Sequence, residues 1–361
     1  MRSSSVALLV VASGLIGACS PRPTASQLND DNPIRPTGPA PFGMEEFFAD
    51  APQQPAPARV RLGRWLFYDQ RLSSDTTVSC ATCHRPEHAF SESVPLPTGI
   101  GGQRGRRKTP SLINLGARTM LLAEGDPGPT FFWDGRATSL EAQVLMPIAD
   151  PKEMGFAHPA MITRLATVRG YGPYFREAFG SDTITIDRVA AALADFVRMR
   201  RSGNAPYDRW AYGGDAHAMS VQEQRGMDIF FFKGRCGMCH AGFNFSDGLF
   251  HNLGVGWNAN TGTFADEGRA AVSHAPGSAG AFKTPGLRDV EKHAPYMHDG
   301  SLATLRDVVE FYNHGGVRNP GLSGRIVPLG LTPEEVDAVV AFLHALSGEG
   351  YQDRPPRHFP Q

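Results

Sequence analysis

Cys80-Ala81-Thr82-Cys83-His84 and Cys236-Gly237-Met238-Cys239-His240 are the two stretches from which the rest of the chain is read. Two thiols three positions apart on a helical turn can each add to one vinyl group of a haem, and the histidine that follows then sits over the iron as proximal ligand. The pattern predicts two covalently bound haems c, one held by Cys80, Cys83 and His84, the other by Cys236, Cys239 and His240. A zinc site built from both pairs needs no histidine directly after each one. A thioredoxin-like pair needs a surrounding parallel sheet that the pattern does not suggest. The fifth cysteine, Cys19, lies in a leader-like segment, so none is left over for a disulfide.

Upstream of the first motif, Met1, Arg2 and the apolar run from Val6 to Ile16 read as an export signal, too short to cross a bilayer. Leu15-Ile16-Gly17-Ala18-Cys19 has the form of a lipoprotein cleavage box, with Cys19 as the lipidated residue. Residues 1–19 are thus expected to be a signal peptide and the mature protein periplasmic, touching a membrane only through this anchor. Residues 20–58 are rich in proline and lack helical or strand periodicity, as a tether would.

Beyond the tether the signals are mainly α. Thr138-Ser139-Leu140-Glu141, Ser220-Val221-Gln222-Glu223 and Thr332-Pro333-Glu334-Glu335 each pair a capping hydroxyl with a glutamate three places on. Apolar spacing predicts helices near 184–200, 220–232, 302–313 and 332–347. No run of alternating strands recurs, which excludes an all-β or doubly wound fold. The 361 residues, 41% hydrophobic, suffice for about two domains. The repeated motif places them at 59–205 and 206–361, two c-type cytochrome units around one haem each, joined by long loops. Gly203, Asn204, Pro206, Gly213 and Gly214 mark the boundary. A net charge of -1 and a pI near 6.9 give no electrostatic reason to expect nucleic acid as partner. The basic run Gln103 to Lys108 is short and local, a solvated loop or a contact to haem propionates or a partner.

Between and after the motifs stand Arg107-Lys108-Thr109-Pro110, Phe132-Trp133-Asp134-Gly135-Arg136, Pro151-Lys152-Glu153-Met154-Gly155 and Ala294-Pro295-Tyr296-Met297-His298-Asp299-Gly300. In this order, from about Val60 to Gly348, the series resembles the bacterial dihaem cytochrome c peroxidases, and within them the MauG-like branch. The resemblance implies a peroxide-binding haem in the first domain, an electron-storing haem in the second, and Trp133 between them. It further implies that Glu153 is the acid/base group that moves a proton between the peroxide oxygens, with Gln143 near it in the same pocket. Taken alone, Glu153 reads as a solvated helix-end residue and Trp133 as core.

Two departures from the cytochrome-fed peroxidases set the branch. Leu96-Pro97-Thr98-Gly99-Ile100-Gly101-Gly102-Gln103 carries glycine where those members place a histidine that caps the peroxide haem, so the first haem is expected to be open; His88 is the nearest substitute. Fourteen residues after His298, Tyr312 stands where they carry an axial methionine. A phenolate is a hard anionic donor that favours ferric and higher states. The alternatives are that Phe311 and Tyr312 merely pack a helix face, or that Met297, His298 or His314 is the ligand.

Gly234 stands where MauG has a surface tryptophan, so an identical protein substrate is not implied. The resemblance also implies calcium between the domains, through the carbonyls of His293 and Pro295 and an asparagine side chain. Lys108 replaces that asparagine, and a cation beside it is electrostatically disfavoured. The implied activity is a peroxide-dependent oxidation of a redox protein or small-molecule donor. The alternatives are a peroxide-detoxifying cytochrome c peroxidase and a non-enzymatic electron carrier or haem sensor.

Overall fold

Ser220 and Thr332 open their helices as predicted. Each hydroxyl accepts the backbone N–H three residues on, and the glutamate there reaches back to the N–H of the capping residue, at 2.6 Å for Glu223 and 2.9 Å for Glu335. The third start is shifted by one. Ser139, not Thr138, caps its helix, and Glu141 instead pairs with Arg198 at 2.6 Å. The computed structural model describes residues 24–36, 38–49, 54–117 and 130–361; the signal and Cys19 lie outside the described residues.

Helices run over Ala25–Asp31 (α1), Glu45–Ala49 (α2), Pro57–Tyr68 (α3), Cys80–Cys83 (α4), Leu140–Ala149 (α5), His158–Thr167 (α6), Gly172–Phe179 (α7), Ile186–Arg198 (α8), Pro206–Ala211 (α9), Val221–Phe231 (α10), Ala270–Ser273 (α11), Leu305–Asn313 (α12) and Pro333–His344 (α13). Apart from isolated bridges, the strands among the described residues form two short antiparallel ribbons, Phe250–Asn252 with Ala281–Lys283 and Trp257–Asn258 with Thr263–Phe264.

The same helix crossing builds both units. In the first, α3 lies across α8, and a Cβ on Gly63 would stand 1.9 Å from the Ala192 carbonyl oxygen and 2.9 Å from Phe196 Cβ. In the second, α10 lies across α13, and a Cβ on Gly226 would stand 1.8 Å from the Ala338 oxygen and 3.0 Å from Phe342 Cβ. A helical glycine costs about 1 kcal/mol relative to alanine. Here it allows backbone-to-backbone approach, and Leu62, Trp65, Leu66 and Phe196 in one core, and Phe230, Val339 and Phe342 in the other, are buried around it.

Three segments depart from the expected organisation. The proline-rich stretch carries α1 and α2 and buries Leu28, Met44, Phe47 and Phe48; Phe47 stacks on Phe243 at 4.3 Å, and the Arg201 guanidinium lies 4.6 Å over Phe48. Residues 24–49 therefore strap the two units instead of trailing from them. The glycine-rich boundary holds α9, pinned by a buried two-pronged pair of Arg288 with Asp208, both contacts 2.8 Å. The last residues, numbered with the second unit, return to the first. Tyr351 joins its core, Trp65 donates to the His358 carbonyl at 3.1 Å, Arg64 pairs with Asp353 at 3.0 Å and Arg71 reaches the Pro360 carbonyl at 2.9 Å.

Candidate active site

His84 follows the single turn of α4, and its Nδ1 donates to the Phe90 carbonyl at 2.8 Å. His240 repeats the arrangement, donating to the Phe245 carbonyl at 2.8 Å. Both phenylalanines are fully buried and turn through the left-handed region, with φ of 55° and 52°. A carbonyl partner fixes the proton on Nδ1 and leaves the Nε2 lone pair for a metal. Burial pushes His84 down to about 4 and lowers His240 as well, so both imidazoles are neutral, as an iron ligand must be.

Cys80, Cys83, Cys236 and Cys239 form no disulfide. Burial pushes the thiols of Cys80, Cys83 and Cys236 up to about 12, the opposite of an attacking redox dithiol. Cys80 packs on the first core and Cys236 on the second, so the two pairs do not converge on one zinc. Neutral imidazoles with Nδ1 oriented by a carbonyl, beside paired unoxidised thiols, fit a covalently held haem in each unit.

A cavity of about 320 Å³ runs from Gln143 and Trp133 past Lys108 to Cys236, His240 and Tyr312. On α12 the residues facing it are Leu305, Val308, Val309 and Tyr312, one helical stripe, whereas Phe311 stands off it, edge-on to Tyr312 at 5.7 Å. Tyr312 thus does lie on the helix's apolar face, and that face looks across the cavity at the second motif. Burial, reinforced by Cys236 and Cys239, raises its hydroxyl well above the usual phenol range. Of the rival ligands, Met297 and His298 also line the cavity, His298 stacked on Phe282 at 3.6 Å. His314 is exposed and its Nδ1 donates to the Glu310 carbonyl at 2.7 Å.

Trp133 sits at the junction of the units. Its Nε1 donates to the Lys108 carbonyl at 2.8 Å, while its own carbonyl accepts from the Lys283 N–H at 2.8 Å. Lys108 N–H in turn donates to the His298 carbonyl at 2.7 Å. Beside it Arg107 grips Asp134 of the first unit at 2.6 Å and Asp266 of the second at 2.6 and 2.8 Å. His88 is occupied in the same seam, 3.2 Å from the Lys292 carbonyl. Gly234 has no room to spare, since a Cβ there would stand 2.9 Å from the Ile229 oxygen and 3.4 Å from Cys236 Sγ.

Glu153 is set by the turn that follows α5. Its N–H and that of Gly155 both donate to the Asp150 carbonyl, at 3.0 and 2.8 Å, and its carbonyl accepts from Ile100 N–H at 2.9 Å. Burial pushes the carboxyl up to about 7, with Asp150 adding to the rise and Arg136 opposing it. Its charge is felt by both Cys80 and Cys83, which places it beside the first motif. The 96–103 loop lies on this turn so tightly that a Cβ on Gly99 would stand 2.1 Å from the Lys152 oxygen. Gln143, on α5 and 9% exposed, faces the cavity that holds Trp133; Glu153 and His84 are not on that cavity's wall.

The calcium donor set does not fit. Lys108 is 3% exposed, and its ammonium donates to the Glu92 carbonyl in the region where a side-chain oxygen would be needed. Sequence reasoning missed the carbonyls of Phe90 and Phe245, which a phenylalanine shortly after each histidine signalled, and the Arg107 bridge, which carries no local signal.

Residues 57–217 match the di-haem cytochrome c peroxidase family. The methylamine utilization protein MauG of Methylorubrum extorquens is 42% identical, over 81% of this chain and 79% of that protein. The cytochrome c551 peroxidase of Nitrosomonas europaea is 33% identical over 80% of each. Among solved structures, a MauG-like protein associated with microbial copper homeostasis superposes with a TM-score of 0.75 at 30% identity, covering 90% of this chain and 97% of that one.

Proposed function

Because the chain belongs to the di-haem cytochrome c peroxidase family, we propose that it is a peroxide-dependent oxidoreductase of the MauG-like branch, oxidising a protein or small-molecule donor. The Cys80/Cys83 and Cys236/Cys239 thiols would hold the two macrocycles, with His84 as protein ligand to one iron and His240 and Tyr312 to the other; when bound, the haems would supply a peroxide-reactive iron and a second iron that stores an oxidising equivalent. Glu153 takes the proton from one peroxide oxygen and delivers it to the other, so that the departing oxygen leaves as water. A carboxyl poised near neutrality suits both halves of that transfer. The resemblance assigns Gln143 to the peroxide pocket, and Trp133, its ring fixed by the Lys108 carbonyl, is the aromatic group between the units through which oxidising equivalents pass. Tyr312 supplies the hard anionic donor that favours the oxidised second site.

The observation that carries this reading is the Glu153 turn, buried beside the first motif under a loop that offers glycine in place of a capping ligand. The test is rapid mixing of the as-isolated ferric protein with hydrogen peroxide. A prompt spectral change without prior reduction, lost in Glu153→Gln, supports the proposal. A response that appears only after half-reduction favours the cytochrome-fed peroxidase instead.

The chain is read as exported to the periplasm and lipid-anchored through Cys19, on the form of residues 1–19. No helix among the described residues is long and apolar enough to cross a membrane. Full-length protein should sediment with membranes and Cys19→Ala should not; equal partition of the two would count against the anchor.

A further inference from the structure

We infer that Lys108 is a built-in cation at the junction of the two units, so that this chain fixes its bridging tryptophan without an interdomain calcium ion. One residue makes three contacts there. Its ammonium donates to the Glu92 carbonyl, its N–H to the His298 carbonyl at 2.7 Å, and its carbonyl accepts the Trp133 indole N–H at 2.8 Å. The charged atom is thus covalently part of the segment that clasps Trp133 on one side and the second unit on the other.

Lys108 and Glu92 are 3% and 5% exposed. Burial pulls the ammonium down to about 8, and the Glu92 carboxylate, braced by the Thr109 hydroxyl, is the anion that opposes that fall. Lys108's charge reaches the segment that would carry calcium's carbonyls, since it adds to the burial that lowers His293. Calcium needs about six to eight oxygen donors. The buried ammonium occupies the Glu92 carbonyl and repels a second cation from the oxygens around it.

The test uses the haem-loaded protein and does not depend on turnover. Calcium is measured by mass spectrometry in the purified protein, and thermal unfolding and the ferric EPR spectrum are recorded with EGTA and with calcium chloride. Only traces of calcium, and no response to either addition, are expected. Lys108→Asn restores an oxygen donor and removes the repulsion, so it should bind about one calcium per chain and become EGTA-sensitive in both unfolding and EPR. Stoichiometric calcium in the wild type would overturn the inference, as would a folded Lys108→Asn that ignores calcium and matches the wild type in every readout. Should that variant not accumulate, the wild-type calcium content decides alone.

Discussion

The two units share a chassis and differ in the titratable group set near each motif. Each crosses two helices at a glycine, Gly63 or Gly226, and each turns a buried phenylalanine back so that its carbonyl holds the histidine Nδ1 at 2.8 Å. In the first unit the distinguishing residue is a carboxyl raised to about 7 on a tight turn; in the second it is a phenol on a helix face. The repeated parts are geometric and the unrepeated parts are protonic or electronic. On the proposed reading the duplicated scaffold carries two chemistries because Glu153 stands on the turn after α5 and Tyr312 on a face of α12.

The largest test of that contrast is Glu153→Gln, which keeps the shape and removes the titrating oxygen. The rate of reaction with peroxide should fall about 10²–10⁴-fold, with the second unit's ferric spectrum unchanged. Tyr312→Met should act on the other side only, raising the second site's midpoint potential by on the order of 100 mV in a redox titration. If either variant perturbs both sites equally, the division of roles fails.

The chassis itself is tested by Gly63→Ala and Gly226→Ala. Each drives a methyl against a helix backbone and should cost about 1–3 kcal/mol in denaturant unfolding, by similar amounts in the two units. A large effect at one and none at the other would mean that the crossings are not equivalent. The smallest effect is the pH dependence. The Glu153 carboxyl lies above its ordinary value, so the carboxylate-dependent rate should rise with pH through about 7 and level off above it. The same shift makes the group's contribution to stability fall between its unfolded value and about 7, so Glu153→Gln should gain on the wild type across that window. A flat rate profile would show that Glu153 does not carry the proton.

Much of this was legible in the sequence because the signals were local. Both haem motifs, two of the three hydroxyl caps and the helices around 186–198, 221–231 and 333–344 rest on spacing of a few residues. At Tyr312 the resemblance offered an iron ligand and the helix pattern a packing residue; the stripe that buries Val309 also lines the cavity, so the two readings do not exclude each other. The strap at 24–49 was misread because proline hides periodicity, although Met44, Phe47 and Phe48 bury fully against the body. The return of residues 351–361 carried no local signal: the carbonyls of His358, Pro360 and Gln361 belong to every residue type, and Tyr351 and Asp353 meet partners far away in the sequence. Lys108 was noticed as a mismatch, but its three contacts reach residues 92, 133 and 298 and exist only in the fold.

The most direct measurement is low-temperature EPR of the purified ferric protein before and after one equivalent of hydrogen peroxide. The account predicts one high-spin and one low-spin ferric site, both signals falling promptly without prior reduction. Two low-spin sites and no response to peroxide would contradict it.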